Sequence, residues 1–185
     1  MITITLQQIL AANPCYDPIA RYGLEGMDRD APISFREIVE VAGAQDAIWC
    51  FAVALPGHEA LKRHFAVDCA ERVIHLMTDP RSLAALEVAR RHAKGQASNE
   101  ELAVAQRTAE AAWAAEAAWA AARAAWAAGD AWAAEAAWTA AEAAGAAARA
   151  AEINWQVRRL IEITEAGAWT PVEEADKRGW SSYGH

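Results

Sequence analysis

The chain has 185 residues and a formal net charge of −8, divided as −2 over residues 1–95 and −6 over 96–185. That length allows one domain, or one domain with a helical extension. An acidic chain without a basic run argues against direct nucleic-acid binding, which needs clustered Lys and Arg to displace phosphate counterions, and no apolar stretch reaches the ~18 residues of a membrane span. The acidic balance favours solubility, and it also suits a partner with a basic surface.

Leu6 to Ala12 reads as a short helix opened by Thr5 and stopped at Asn13-Pro14. Asp17-Pro18 starts another, ending at Gly23, and a Gly/Asp/Arg/Pro loop follows to Pro32. Ser34 and Glu37 form a capping box for a helix to about Ala42, with Gly43 as its stop. Gln45 to Leu55 is an apolar helix, expected at the centre of the core. After Pro56-Gly57 an amphipathic helix is expected from Glu59 to Met77. Asp79-Pro80 opens a further helix to Lys94, stopped by Gly95, with Leu83, Leu86, Val88 and Ala89 as its inner stripe. Ser98-Asn99-Glu100-Glu101 is a second capping box, and Thr170-Pro171 starts a last short helix ending at Gly179. A few residues at Ile2–Ile4 could form a strand; the pattern is otherwise helical.

From Ala111 to Ala151, 27 of 41 residues are alanine, the best helix former. On a helix at ~100° per residue, Glu116, Arg123, Asp130, Glu135, Glu142 and Arg149 lie along one face. Ala115, Ala118, Ala122, Ala125, Gly129, Ala136, Ala140, Ala143 and Ala147 form a small-residue seam opposite, suited to close helix packing. Trp119 and Trp126 flank the seam on one side and Trp132 on the other, while Trp113 and Trp138 lie near the charged face. No single neighbour covers all of these rings. One helix from Asn99 to Glu165 would be about 100 Å long, against a radius of gyration of about 16 Å for a compact chain of this length. An antiparallel hairpin bent near Gly129 is therefore expected. The predicted fold class is all-α: a globular bundle of short N-terminal helices (residues 1–97) followed by the long Ala/Trp-rich helices and a short C-terminal helix (98–185), packed as one compact unit.

Groups for chemistry are sparse. His64, Asp68, Glu71 and His75 recur at spacings of 4, 3 and 4 on one helix, a pattern that can bind metal and that would be needed for a metal-dependent enzyme. There is no HExxH motif, and Arg72 interrupts the set, so Asp68, Glu71 and Arg72 are expected instead to make ion pairs and hydrogen bonds to neighbouring helices. His58 and His92 are expected at or near the surface without a catalytic role. No GxSxG, P-loop or GxGxxG occurs. Cys15, Cys50 and Cys69 are odd in number and lack a CxxC, which suggests reduced, mostly buried thiols in a cytoplasmic protein, and the N-terminus lacks the features of a signal peptide. No cofactor is implied.

The segments Phe65-Ala-Val-Asp-Cys-Ala-Glu-Arg-Val-Ile-His75 and Pro80-Arg-Ser-Leu-Ala-Ala-Leu-Glu-Val-Ala-Arg-Arg-His-Ala-Lys-Gly95 carry a resemblance, with the Ala/Trp tract closing on Ala151-Glu-Ile-Asn-Trp-Gln-Val-Arg-Arg-Leu160 and with Asn13-Pro-Cys-Tyr-Asp17. In these segments the chain resembles a family of small bacterial and phage proteins described as immunity proteins of polymorphic toxin systems. The resemblance covers roughly residues 10–165, and the tract here is more acidic than is usual in the family. It implies an α-helical, non-enzymatic inhibitor of another protein, either a toxin or, for phage members, a defence component such as a CRISPR effector. The contact surface is then expected at Trp113, Glu116, Asp130, Glu135, Trp138 and Glu142. The alternative is a self-assembling scaffold that forms a homodimer through the Ala seam.

Overall fold

The computed structural model describes residues 1–77, 79–110 and 145–172. The bend expected near Gly129, most of the Ala seam and the helix expected to end at Gly179 lie outside the described residues. The fold is all-α, with one small two-stranded ribbon among the described residues.

In that ribbon, β1 (Thr3–Thr5) runs antiparallel to β2 (Pro32–Ser34), pairing Thr3 with Ser34, Ile4 with Ile33 and Thr5 with Pro32. Alternation along β1 buries Ile4 between half-buried threonines. Each strand ends on an N-cap. Thr5 and Gln8 form a reciprocal capping box at the start of α1 (Leu6–Ala11), and Ser34 and Glu37 form another at the start of α3 (Phe35–Ala42). Between them, α2 (Pro18–Tyr22) is capped by Asp17, begins on Pro18 and ends at Gly23. The sequence offers a strand only at Ile2–Ile4; its partner β2 begins where the expected loop ends, and a strand this short has no periodicity of its own.

Gly43, at φ 87° and ψ 178°, joins α3 to α4 (Ala44–Trp49). α4 continues directly into a π-helical turn, Cys50–Ala54, closed by the Leu55 amide donating to the Cys50 carbonyl at 2.8 Å. The widened turn buries Phe51 completely, edge-on between Phe35 and Phe65 at centroid distances of 5.7 and 5.6 Å. Ile4, Trp155, Leu160 and Ile163 complete this core.

α5 (Glu59–Glu71) is followed by a short 3-10 turn, Ile74–Leu76. The expected helix to Met77 is thus cut short. The amide of Val73 bonds to Ala70 rather than one residue further back, and the β-branched pair Val73-Ile74 favours leaving the helix. Val73 and Met77 instead enter a second core with Leu86, Ala89 and Leu102, from α6 (Pro80–Ala93) and α7 (Asn99–Glu110). The inner face of α6 is Ser82, Ala85, Leu86, Ala89 and Ala93, while Leu83 is 38% exposed. This corrects the expected stripe. Small residues face α7, where Ala85 meets Ala105 and Ala109, because that row lets the helices approach closely.

α8 (Gly145–Ala166) lies against α3, α4 and α5, and the Ile2 amide donates to the Thr164 carbonyl at 2.6 Å. Among the described residues no helix is long and apolar enough to cross a membrane.

Candidate functional site

Two places concentrate polar groups. The first is the seam where α5 meets α8. Among the described side chains of α8, the buried ones are Glu152, Trp155, Gln156, Arg159, Leu160, Ile163 and Thr164, an i, i+3/i+4 stripe that mixes charge with apolar bulk. Arg159 Nε donates to Asp68 Oδ2 at 2.8 Å. The same oxygen accepts from Trp169 Nε1 at 3.0 Å. Arg159 also bonds Glu162 at 2.9 Å and the Thr170 carbonyl, which ties the chain after α8 onto the helix pair. The Trp169 ring stacks on His64 at 4.2 Å.

Two turns before Arg159 on α8, Arg72 Nε bonds Glu152 at 2.9 Å, Gln156 donates to Glu152, and the Arg72 guanidinium lies 4.7 Å from the Trp155 ring centre. Burial pushes the Asp68 carboxyl up to about 6 against the opposing pull of Arg159. It raises Glu152 as well, against Arg72. His64 is lowered by burial and by the Lys94, Arg63 and Arg159 charges.

This seam contains part of the set considered for metal. His64 is stacked on Trp169, Asp68 is held by Arg159 and Trp169, and Glu71 accepts from Arg90 at 2.6 Å. His75 sits in the 3-10 turn, because α5 ends at Glu71. The 4-3-4 line therefore breaks before its last member, and among the described residues no group of three or more His, Cys, Asp or Glu is placed to hold a metal ion.

The second place went unmarked by the sequence motifs. Asn13, at φ 53°, turns the chain into Pro14, and the short α2 then sets Tyr16 and Tyr22 together against α4. The Tyr22 hydroxyl donates to Asp46 Oδ2, and the Tyr16 and Tyr22 oxygens are 3.4 Å apart. The rings meet edge to face at 6.1 Å, and the Arg21 guanidinium lies 4.4 Å from the Tyr16 centroid and 5.6 Å from that of Tyr22. Burial and the bond to Asp46 raise both phenols above their ordinary value.

Two cavities open beside this cluster, one of about 440 Å³ and one of about 280 Å³, and both are walled by Pro14, Tyr16, Asp46 and Trp49. A concave apolar space with a few converging polar groups is the usual form of a ligand site. In the sequence, Asn13-Pro14 marks a helix stop and Asp17-Pro18 a helix start, but Tyr16 and Asp46 lie too far apart for a local pattern to signal their contact.

The residues expected to touch a partner, Trp113, Glu116, Asp130, Glu135, Trp138 and Glu142, lie outside the described residues. Comparison with known proteins returns no matching family model, curated protein or solved structure.

Proposed function

We propose that the chain is a non-enzymatic helical inhibitor that acts in the cytoplasm by binding and blocking another protein, a toxin or a defence component with a basic surface. The observation that carries this reading is the anchoring of the helices on either side of the Ala/Trp tract. α7 packs along α6, and α8 is held to α5 and its C-terminal end by the buried Asp68–Arg159 pair and the part-buried Arg72–Glu152 pair, so the helices on either side of the tract belong to one helical body. Such a body supplies a preorganised base from which Trp and acidic side chains can engage a partner with little ordering cost. The acidic excess of the C-terminal half suits a basic surface and speeds encounter with it.

The test is functional blockade. A partner captured by the tagged chain is assayed for its own activity with and without the chain. The comparison is a variant carrying Trp113→Ala, Trp138→Ala and lysine at Glu116, Asp130, Glu135 and Glu142. Loss of activity with the native chain, and its return with the variant, supports the proposal. A partner whose activity is unchanged by stoichiometric native chain overturns it.

A further inference from the structure

We propose that the paired cleft between the Asn13–Gly23 arm and helices α3 and α4 binds a small organic cation, with its ammonium head against Asp46 and its apolar body in the inner chamber. The inner chamber, about 280 Å³, is lined by Leu6, Ile9, Leu24, Met27 and Ile38 among other apolar side chains. Its charged wall residues are Glu37, Glu40 and Asp46, all acids. Glu37 is engaged by the amide and hydroxyl of Ser34. Asp46 lies in the wall common to both cavities.

Charge chooses among ligand classes here. An anion entering the chamber would meet only acids among its charged wall residues and be repelled by them. A neutral body would fill the apolar volume and leave the carboxylate without a cationic partner. An ammonium group gives the carboxylate a counter-charge, and the aromatic lining residues Tyr16, Tyr22 and Trp49 add attraction wherever a ring face lies within about 6 Å of it. The protein supplies its own example: Arg21 already places a guanidinium on the outer side of Tyr16. The net charge of −8 adds a long-range pull on cations. The site uses no residue of the Ala/Trp tract, so it stands or falls separately from the inhibitor reading.

The experiment titrates the full chain with 2-phenylethylamine, and with 2-phenylethanol and 3-phenylpropanoate as neutral and anionic counterparts of similar size. Tyrosine ring carbons are labelled for NMR. The expected result is a shift of the Tyr16 and Tyr22 signals with the amine. The amine should bind about tenfold or more tightly than the alcohol, the worth of one charge-assisted contact, with the propanoate weakest. Asp46→Asn should remove most of the amine's advantage over the alcohol, and Glu40→Gln, at an exposed site, should weaken the amine by a smaller factor. Equal binding of amine and alcohol to the native chain overturns the proposal, as does absence of binding. So does an amine that binds without moving the Tyr16 and Tyr22 signals. The ligand comparison is made on the unaltered protein, so a variant that fails to fold does not obscure the outcome.

Discussion

Arg159 and Asp68 lie 91 residues apart in sequence, yet their side chains meet at 2.8 Å with exposures of only 3% and 4%. A pair so far from water is stabilised by mutual attraction and opposed by the loss of hydration on both groups. Removing one member leaves the other without compensation. Arg159→Met should cost about 3–5 kcal/mol in urea unfolding at pH 7, while Asp68→Leu/Arg159→Met should recover most of that loss. A double variant as unstable as the single one would refute this account of the seam.

The same carboxylate gives a pH dependence of defined sign. Its ordinary value of 3.8 rises to about 6 in the folded chain, so folding takes up a proton between those limits. The stability it contributes is fully present below pH ~4 and is lost as pH rises through about 6. Glu152 acts in the same direction, while Glu37, Asp79, Glu100 and Glu101, lowered by hydrogen bonds, act oppositely. Comparing native chain with Asp68→Asn cancels all but the one group. Urea midpoints from pH 4 to 7 should show the variant gaining on the native chain as pH rises. A constant difference would rule out the assignment.

Thiol reactivity should separate the cysteines. Cys15 is exposed, while Cys50 and Cys69 are buried, with the Cys50 thiol pushed up to about 12 by burial and by Asp46. Iodoacetamide at pH 8 should add once to the native chain, at Cys15, and to all three cysteines in guanidinium, as read by mass. Native labelling of Cys50 or Cys69 would mean that the core around Phe51 opens readily.

Gly43→Ala isolates backbone strain. A Cβ there would meet nothing within 4 Å, but φ 87° with ψ 178° is a conformation that suits glycine alone. The change should cost about 1–3 kcal/mol with the fold retained. A smaller loss would show that the α3–α4 junction adjusts freely.

Local features were legible in the sequence because their partners lie within a few residues. The Ser34–Glu37 box, the Asp79-Pro80 start and the Ser98–Glu101 box all occur where spacing placed them. The end of α5 was not, because no Gly or Pro marks it; it follows from where Val73 and Met77 find a core. The exposure of Leu83 depends on α7 preferring a row of alanines, a choice made by the neighbour rather than by α6 itself. Of the candidate site, Asp68 was singled out but its partner was not, and the meeting of Tyr16, Tyr22 and Asp46 depends on a turn at Asn13 that a sequence pattern does not encode.

The mixed face of α8 has a consequence for alignment. Leucines alone would let α8 slide along α5 by one turn, about 5.4 Å, with modest loss, since apolar contact is non-directional. Asp68 with Arg159 and Arg72 with Glu152 act as two notches cut at a fixed separation. A one-turn slip would strand both pairs in a dry interface together. The helix that carries the chain back from the Ala/Trp tract is thus indexed at one axial position, and whatever the tract displays begins from a calibrated origin.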